Sequence, residues 1–244
     1  MIRVLKQPEP RPPAFDFDKE VRQPGLSALA ELTGQPPLFR RRGPRIAKRA
    51  DRIEDLDASV LRSYAYWTRA LPVLHDSYGG ICAYACFYIE PLCGPTVDHF
   101  VAMVSAEHRQ AYEWGNYRLA CSQMNARKRE FADVLDPFVV EDGWFVLNLG
   151  TFKVEPAVGL APEVDAKVRE TIERLGLDSR EYQHMCRRYF DSYWSPKVAD
   201  QPVPLWSLER DAPFLVREMR RQGRIREADV APRGPVAAAR QTPP

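Results

Sequence analysis

Apolar and polar positions along the chain alternate in two rhythms, and the slower, helical one dominates. Residues 26–32 have short amphipathic spacing just after Gln23-Pro24-Gly25, which reads as a turn. Between residues 53 and 74, Leu61, Tyr64, Ala65, Trp67 and Leu71 recur near a helical period, with Asp57 or Ser59 as the cap. Pro72 falls inside that segment, so the helix stops before it or a second one starts there. Val164, Val168, Ile172 and Leu175 predict a helix over 161–175, and Gly176 supplies its stop. The next helix begins at 177–179 and carries Tyr182, Met185, Cys186, Tyr189, Phe190 and Tyr193, a stripe that reads as core. Residues 207–222 form the last predicted helix.

The faster rhythm is confined to the middle. Tyr78-Gly79-Gly80 turns into the β-compatible run 81–84, and residues 96–101 form a second strand. Residues 134–140 and 144–149, separated by Glu141-Asp142-Gly143, predict a hairpin, with 151–155 as a third strand. The sum is an α+β fold, mainly helical, with a small strand-bearing centre. It divides into an extended basic stretch (1–52), a core with a leading helix (53–155), a helical region (156–227) and a Pro/Ala/Arg-rich tail (228–244) that reads as disordered.

Composition changes this picture little. The net charge is +2, so the whole chain carries no polyanion-binding signal, but its distribution is uneven. Seven basic residues fall within 40–52, and a second basic cluster covers 217–226. Each is either solvated surface or a phosphate-contacting arm. No apolar run is long enough to span a bilayer and the first residues lack a secretory pattern, so a cytoplasmic protein with no membrane partner is expected. The odd count of five cysteines does not suggest a disulfide framework.

The candidate chemistry lies in residues 95–128. Asp98 and His99 are adjacent, Asn116 follows seventeen residues after the histidine, and Cys121, Asn125 and Lys128 come after it. The pattern D-H…N-x-x-L-x-C-x-x-x-N-x-x-K resembles the signature of the HNH (ββα-metal) nucleases, over roughly residues 78–149. The Gly-Gly-Ile-Cys-Ala-Tyr run ahead of it resembles the entrance to such domains. The looser arrangement is similar to small HNH nucleases of bacterial anti-phage systems, among them some paired with an ATPase partner. Arg129 departs from the pattern, because glycine often follows the lysine in that family.

The resemblance implies a central ββα-metal unit, followed by the hairpin, that hydrolyses phosphodiester bonds in nucleic acid, with double-stranded DNA the leading substrate. It assigns His99 as general base, and Asn116 as the residue that fixes the loop and hydrogen-bonds the His99 ring. Asp98 and Asn125 become metal ligands. Their hard oxygens favour Mg2+ or Mn2+ over zinc. Lys128, Arg118 and Arg127 become candidate phosphate contacts, with solvated charge as the alternative. The family's structural zinc would fall on Cys82, Cys86 and Cys121, with Cys93 as a substitute ligand. The knuckle is expected to be lost, because the first pair has one extra residue and Met124 stands in the second. His108 is expected to be exposed in the loop 102–113, and His75 and His184 to be structural. The rival readings are a catalytically degenerate HNH module that binds nucleic acid and a helical adaptor whose Asp-His pair is coincidental.

Overall fold

The computed structural model describes residues 1–40, 43–103, 108–194 and 202–230, so most of the predicted tail lies outside the described residues. The fold is α+β, mainly helical, with two short antiparallel sheets among the described residues. The first sheet pairs β1 (Pro95–His99) with β2 (Tyr117–Cys121), with Pro95 opposite Cys121 and His99 opposite Tyr117. The second pairs β3 (Phe145–Leu147) with β4 (Val154–Pro156).

The N-terminal helix is longer than its apolar spacing announced. A π-helical turn, Asp18–Arg22, runs directly into α1 (Gln23–Leu32), so Gln23-Pro24-Gly25 is helical and not a turn. Pro24 has no N–H to give the preceding turn, and the Glu20 carbonyl accepts a hydrogen bond from Arg69 Nη1 at 3.0 Å. Gly25 is needed for a close approach: a Cβ there would sit 2.3 Å from the Tyr112 ring.

The stretch 53–74 breaks into α2 (Ala58–Arg62), a 3-10 turn (Tyr66–Ala70) and α3 (Leu71–Ser77). Asp57 caps α2 by accepting from Ser59 N at 2.6 Å, and Pro72 opens α3 in its first turn. Residues 81–84 contribute only an isolated bridge from Ile81 to Tyr88, and the segment then turns beneath the first sheet, Ala83 N donating to Leu119 O at 2.8 Å.

The expected 134–140 strand is absent. Asp136-Pro137 turns the chain there, with the Asp136 carboxylate accepting from Phe138 N. Trp144 and its successors pair instead with the segment after Asn148, whose side chain accepts from the amides of Gly150 and Thr151 and so folds a tight turn.

α4 (Ser122–Lys128) follows β2 without a linker. The C-terminal half supplies α5 (Pro162–Leu175), ended by Gly176 at φ +60°, and α6 (Arg180–Trp194). The single helix expected over 207–222 is two, α7 (Leu205–Asp211) and α8 (Pro213–Arg221), because Pro213 keeps Ala212 out of the helical region, at φ −147° and ψ 60°. A short α9 (Glu227–Val230) ends the described chain. One cluster of buried side chains runs from Phe17 through Tyr84, Tyr117 and Leu175 to Met219, so all three leading stretches share a core. Among the described residues no helix is long and apolar enough to cross a membrane.

Candidate functional site

β1 alternates its side chains, so Thr96 and Asp98 share one face while Val97 and His99 share the other. α4 folds back against both strands of this hairpin. On its surface Asn125 and Lys128 are one turn apart. They meet the first face of β1: Asn125 Nδ2 donates to Thr96 Oγ1 at 3.0 Å, and Lys128 Nζ lies 3.3 Å from Asp98 Oδ1. Thr96 gives its own hydroxyl proton to Ala120 O at 2.8 Å, and therefore acts as acceptor toward Asn125. That fixes the amide's orientation, with the NH2 toward the strand and Oδ1 available.

Asp98 is buried and both carboxylate oxygens are engaged. Tyr84 Oη donates to Oδ2 at 2.5 Å, and the Lys128 ammonium faces Oδ1. Burial raises the Asp98 pKa, with Lys128 and Tyr84 pulling in the opposite direction. Lys128 also donates to the His99 carbonyl at 2.9 Å.

His99 is held differently. Its ring Nε2 lies 3.0 Å from Ala111 O. A carbonyl only accepts, so Nε2 carries the proton and Nδ1 keeps its lone pair, with no partner among the described residues. Trp67 meets the imidazole edge-on at 4.8 Å between centroids, and Tyr117 at 5.3 Å. Burial lowers the ring's pKa from 6.5 to about 4; the Ala111 bond opposes this and the Lys128 charge adds to it. The imidazole is neutral at physiological pH.

These groups line one cavity of about 670 Å3 between α2, the 3-10 turn carrying Trp67, β1 and α4. Asp98, His99 and Asn125 all contribute to its wall, and Arg62 and Arg129 stand exposed at its edge together with Glu130. Arg129 has φ +50°; its backbone N–H donates to Asn125 O, and its Nε makes a long 3.4 Å bond to Ala126 O of its own helix.

Several expectations change. Asn116 pins the loop as expected, accepting from Val101 N and donating to Val101 O and Gln110 O, but the His99 ring is held by Ala111 and not by Asn116. Lys128 is fully buried and ion-paired, so it has no surface to offer a phosphate. Arg118 forks onto the Asp136 carboxylate at 2.8 and 2.7 Å and stacks over Phe138; Arg127 donates to the carbonyls of Leu175 and Gly176 at the end of α5. Both cations serve the fold. Arg217, Arg220, Arg221 and Arg226 of the C-terminal basic cluster likewise pair with carboxylates. His108 is buried, with Nε2 3.3 Å from Leu56 O, whereas His184 is exposed on α6. His75 bonds Ile89 O and is structural as expected.

Cys82 and Cys86 are buried but part ways: Cys82 Sγ accepts from the amides of Ala85 and Cys121, whereas Cys86 Sγ turns to Tyr84 O. Among the described residues no group of three or more His, Cys, Asp or Glu side chains is placed to hold a metal ion. For a hard divalent ion, the expected donors at the cavity are the Asp98 carboxylate and the Asn125 carboxamide oxygen, with the Glu130 carboxylate farther out at its edge. That set suits Mg2+ or Mn2+, which keep several waters and take phosphate oxygens as further ligands. Lys128 already neutralises Asp98, and a divalent ion there would share or displace that contact.

Tyr84, Thr96, Arg62 and the Ala111 carbonyl were not singled out as site residues from sequence; Trp67 was read only as part of a helical stripe and Arg129 only as a departure from the family's glycine. Thr96 had a signal, standing two residues before Asp98 and so on the same strand face. Ala111 had none, because a backbone carbonyl leaves no trace in residue type. No family model matches the sequence, and no match emerges among the curated proteins.

Proposed function

We propose that this chain is a metal-dependent nuclease of the HNH (ββα-metal) type, cutting phosphodiester bonds in double-stranded DNA. One observation carries the reading: a neutral imidazole, its proton fixed on Nε2 by Ala111 O, lies against a cavity that Asp98 and Asn125 also line. Hydrolysis needs a base for the attacking water, and Nδ1 is the lone pair on offer. A pKa of about 4 keeps that lone pair free but makes it a weak base. An anionic phosphate docking beside the ring raises its proton affinity, drawing it toward the working range. Arg62 and Arg129, exposed at the cavity's edge, take the phosphate-contacting role first given to Lys128, Arg118 and Arg127. A divalent ion, held through Asp98 and Asn125 Oδ1, would supply charge stabilisation for the phosphoryl oxygens. Asn116 and Lys128 act indirectly: one fixes the loop after β1, the other anchors the His99 backbone carbonyl.

The Asp98–Lys128 pair favours a second reading. A built-in ammonium on the candidate ligand is what a site retired from catalysis would carry, leaving a nucleic-acid-binding module. Nicking of supercoiled plasmid in Mg2+ and in EDTA separates the two. The nuclease reading expects cleavage in Mg2+ alone, with the Mg2+ requirement raised about tenfold by Asn125→Ala. Salt-dependent DNA binding without cleavage in Mg2+ or Mn2+ would support the module instead.

A further inference from the structure

Away from the His99 cavity, the other side of α4 carries a second group of chemistry-bearing side chains. Cys121, the residue preceding α4, and Cys82, on the turn beneath the hairpin, open onto a cavity of about 520 Å3 bounded by α6. Cys82 Sγ lies 3.5 Å from the Cys121 backbone nitrogen, so the two side chains start from neighbouring points of the fold. The Ala85 amide also points at Cys82 Sγ, at 3.4 Å. Ala85 and Met124 each stand three residues after one of these cysteines, so neither turn offers the second thiol that a four-sulfur zinc site needs.

We propose that Cys82 and Cys121 form a peroxide-sensitive dithiol, with Cys121 the attacking sulfur and Cys82 the resolving one. The Cys121 sulfur attacks one oxygen of a hydroperoxide, the O–O bond breaks, and Cys121 becomes a sulfenic acid as hydroxide or alkoxide leaves. Cys82 sulfur then attacks Cys121 Sγ, the S–O bond breaks, and the released hydroxide takes the Cys82 proton as water. Two electrons pass from the thiol pair to the peroxide, and one disulfide forms.

Exposure distinguishes the roles: Cys82 is buried, whereas Cys121 is partly open to the cavity. Electrostatics point the same way. The neighbouring Cys82 thiol, with the amides of Met124 and Gln123, brings Cys121 down to about 6 against its burial, while desolvation pushes Cys82 well up. Cys86 and Cys186 lack this arrangement. Both are buried, and burial pushes Cys186 up to about 12, which leaves it inert.

The test uses the reduced full chain, hydrogen peroxide as the oxidant, and peptide mass spectrometry after alkylation. The proposal expects a Cys82–Cys121 cross-link, two hydrogens lighter and reversed by dithiothreitol. In Cys82→Ser, it expects dimedone to capture a sulfenic acid at Cys121. Without peroxide, at neutral pH, iodoacetamide should modify Cys121 at least about tenfold faster than Cys82. A cross-link from Cys121 to Cys93, or a Cys121 still recovered as free thiol after Cys93 has oxidised, overturns it. The wild-type cross-link needs no variant to fold, so the result stands even if Cys82→Ser is unstable.

Discussion

Two buried titratable residues beside one another, Asp98 and His99, are stabilised in opposite ways. Asp98 keeps a charge partner, and losing it is costly: Lys128→Met leaves a carboxylate buried without its ammonium. The expected loss is about 3–5 kcal/mol in urea unfolding. Adding Asp98→Asn in the same chain should recover a large part of that. Equal destabilisation in the single and double variants would contradict the pairing. His99 instead stays neutral. Its folded pKa lies near 4 against an ordinary 6.5, so above pH 6.5 neither state is protonated and its contribution is complete. As the pH falls from 6.5 toward 4, the unfolded chain takes a proton that the folded ring refuses. Stability then drops by at most roughly 3 kcal/mol. Wild type should therefore lose stability faster than His99→Gln through that window. Parallel curves would show that the ring is not desolvated.

Elements were legible where one local signal decided them. The 161–175 apolar period and the Gly176 stop give α5 within a residue, and Asp57 caps α2 as its type suggests. β1 was legible too, the expected run 96–101 overlapping Pro95–His99, whereas β2 (Tyr117–Cys121) was not read as a strand and Asn116 closes the 3-10 turn before it. Elements decided by distant contacts were not. Gln23-Pro24-Gly25 has a turn's composition, yet it is helical because Arg69 satisfies Glu20 O and the Tyr112 ring needs the space above Gly25. Gly25→Ala tests this. A better helix former placed against that ring should destabilise by about 1–3 kcal/mol in thermal or denaturant unfolding. A gain in stability, as propensity alone dictates, would mean that the ring moves aside freely. The 134–140 run failed for a local reason, the Asp136-Pro137 turn, which the Arg118 fork on the Asp136 carboxylate then holds in place.

Among the described residues, the cations that looked ready for a polyanion divide: those near the candidate site and at the C-terminus have internal partners, whereas Arg40, Arg45, Lys48, Arg49 and Arg52 of the N-terminal cluster stand exposed. Arg118, Arg127, Lys128 and four arginines of the C-terminal cluster all have internal partners, and the exposed cations lining the candidate cavity among the described residues are Arg62 and Arg129, with Glu130 beside them. Their double replacement by Gln should weaken DNA binding and flatten its salt dependence by about 1–2 charges' worth of slope, leaving unfolding almost unchanged. An unaltered slope would place the DNA on another face. The central claim concerns one lone pair, Nδ1 of His99, and the most direct measurement is the plasmid-nicking rate of wild type against His99→Ala at saturating Mg2+. A general base predicts a fall of about 100-fold or more, with the fold and DNA affinity preserved. Equal cleavage by the two proteins would contradict it.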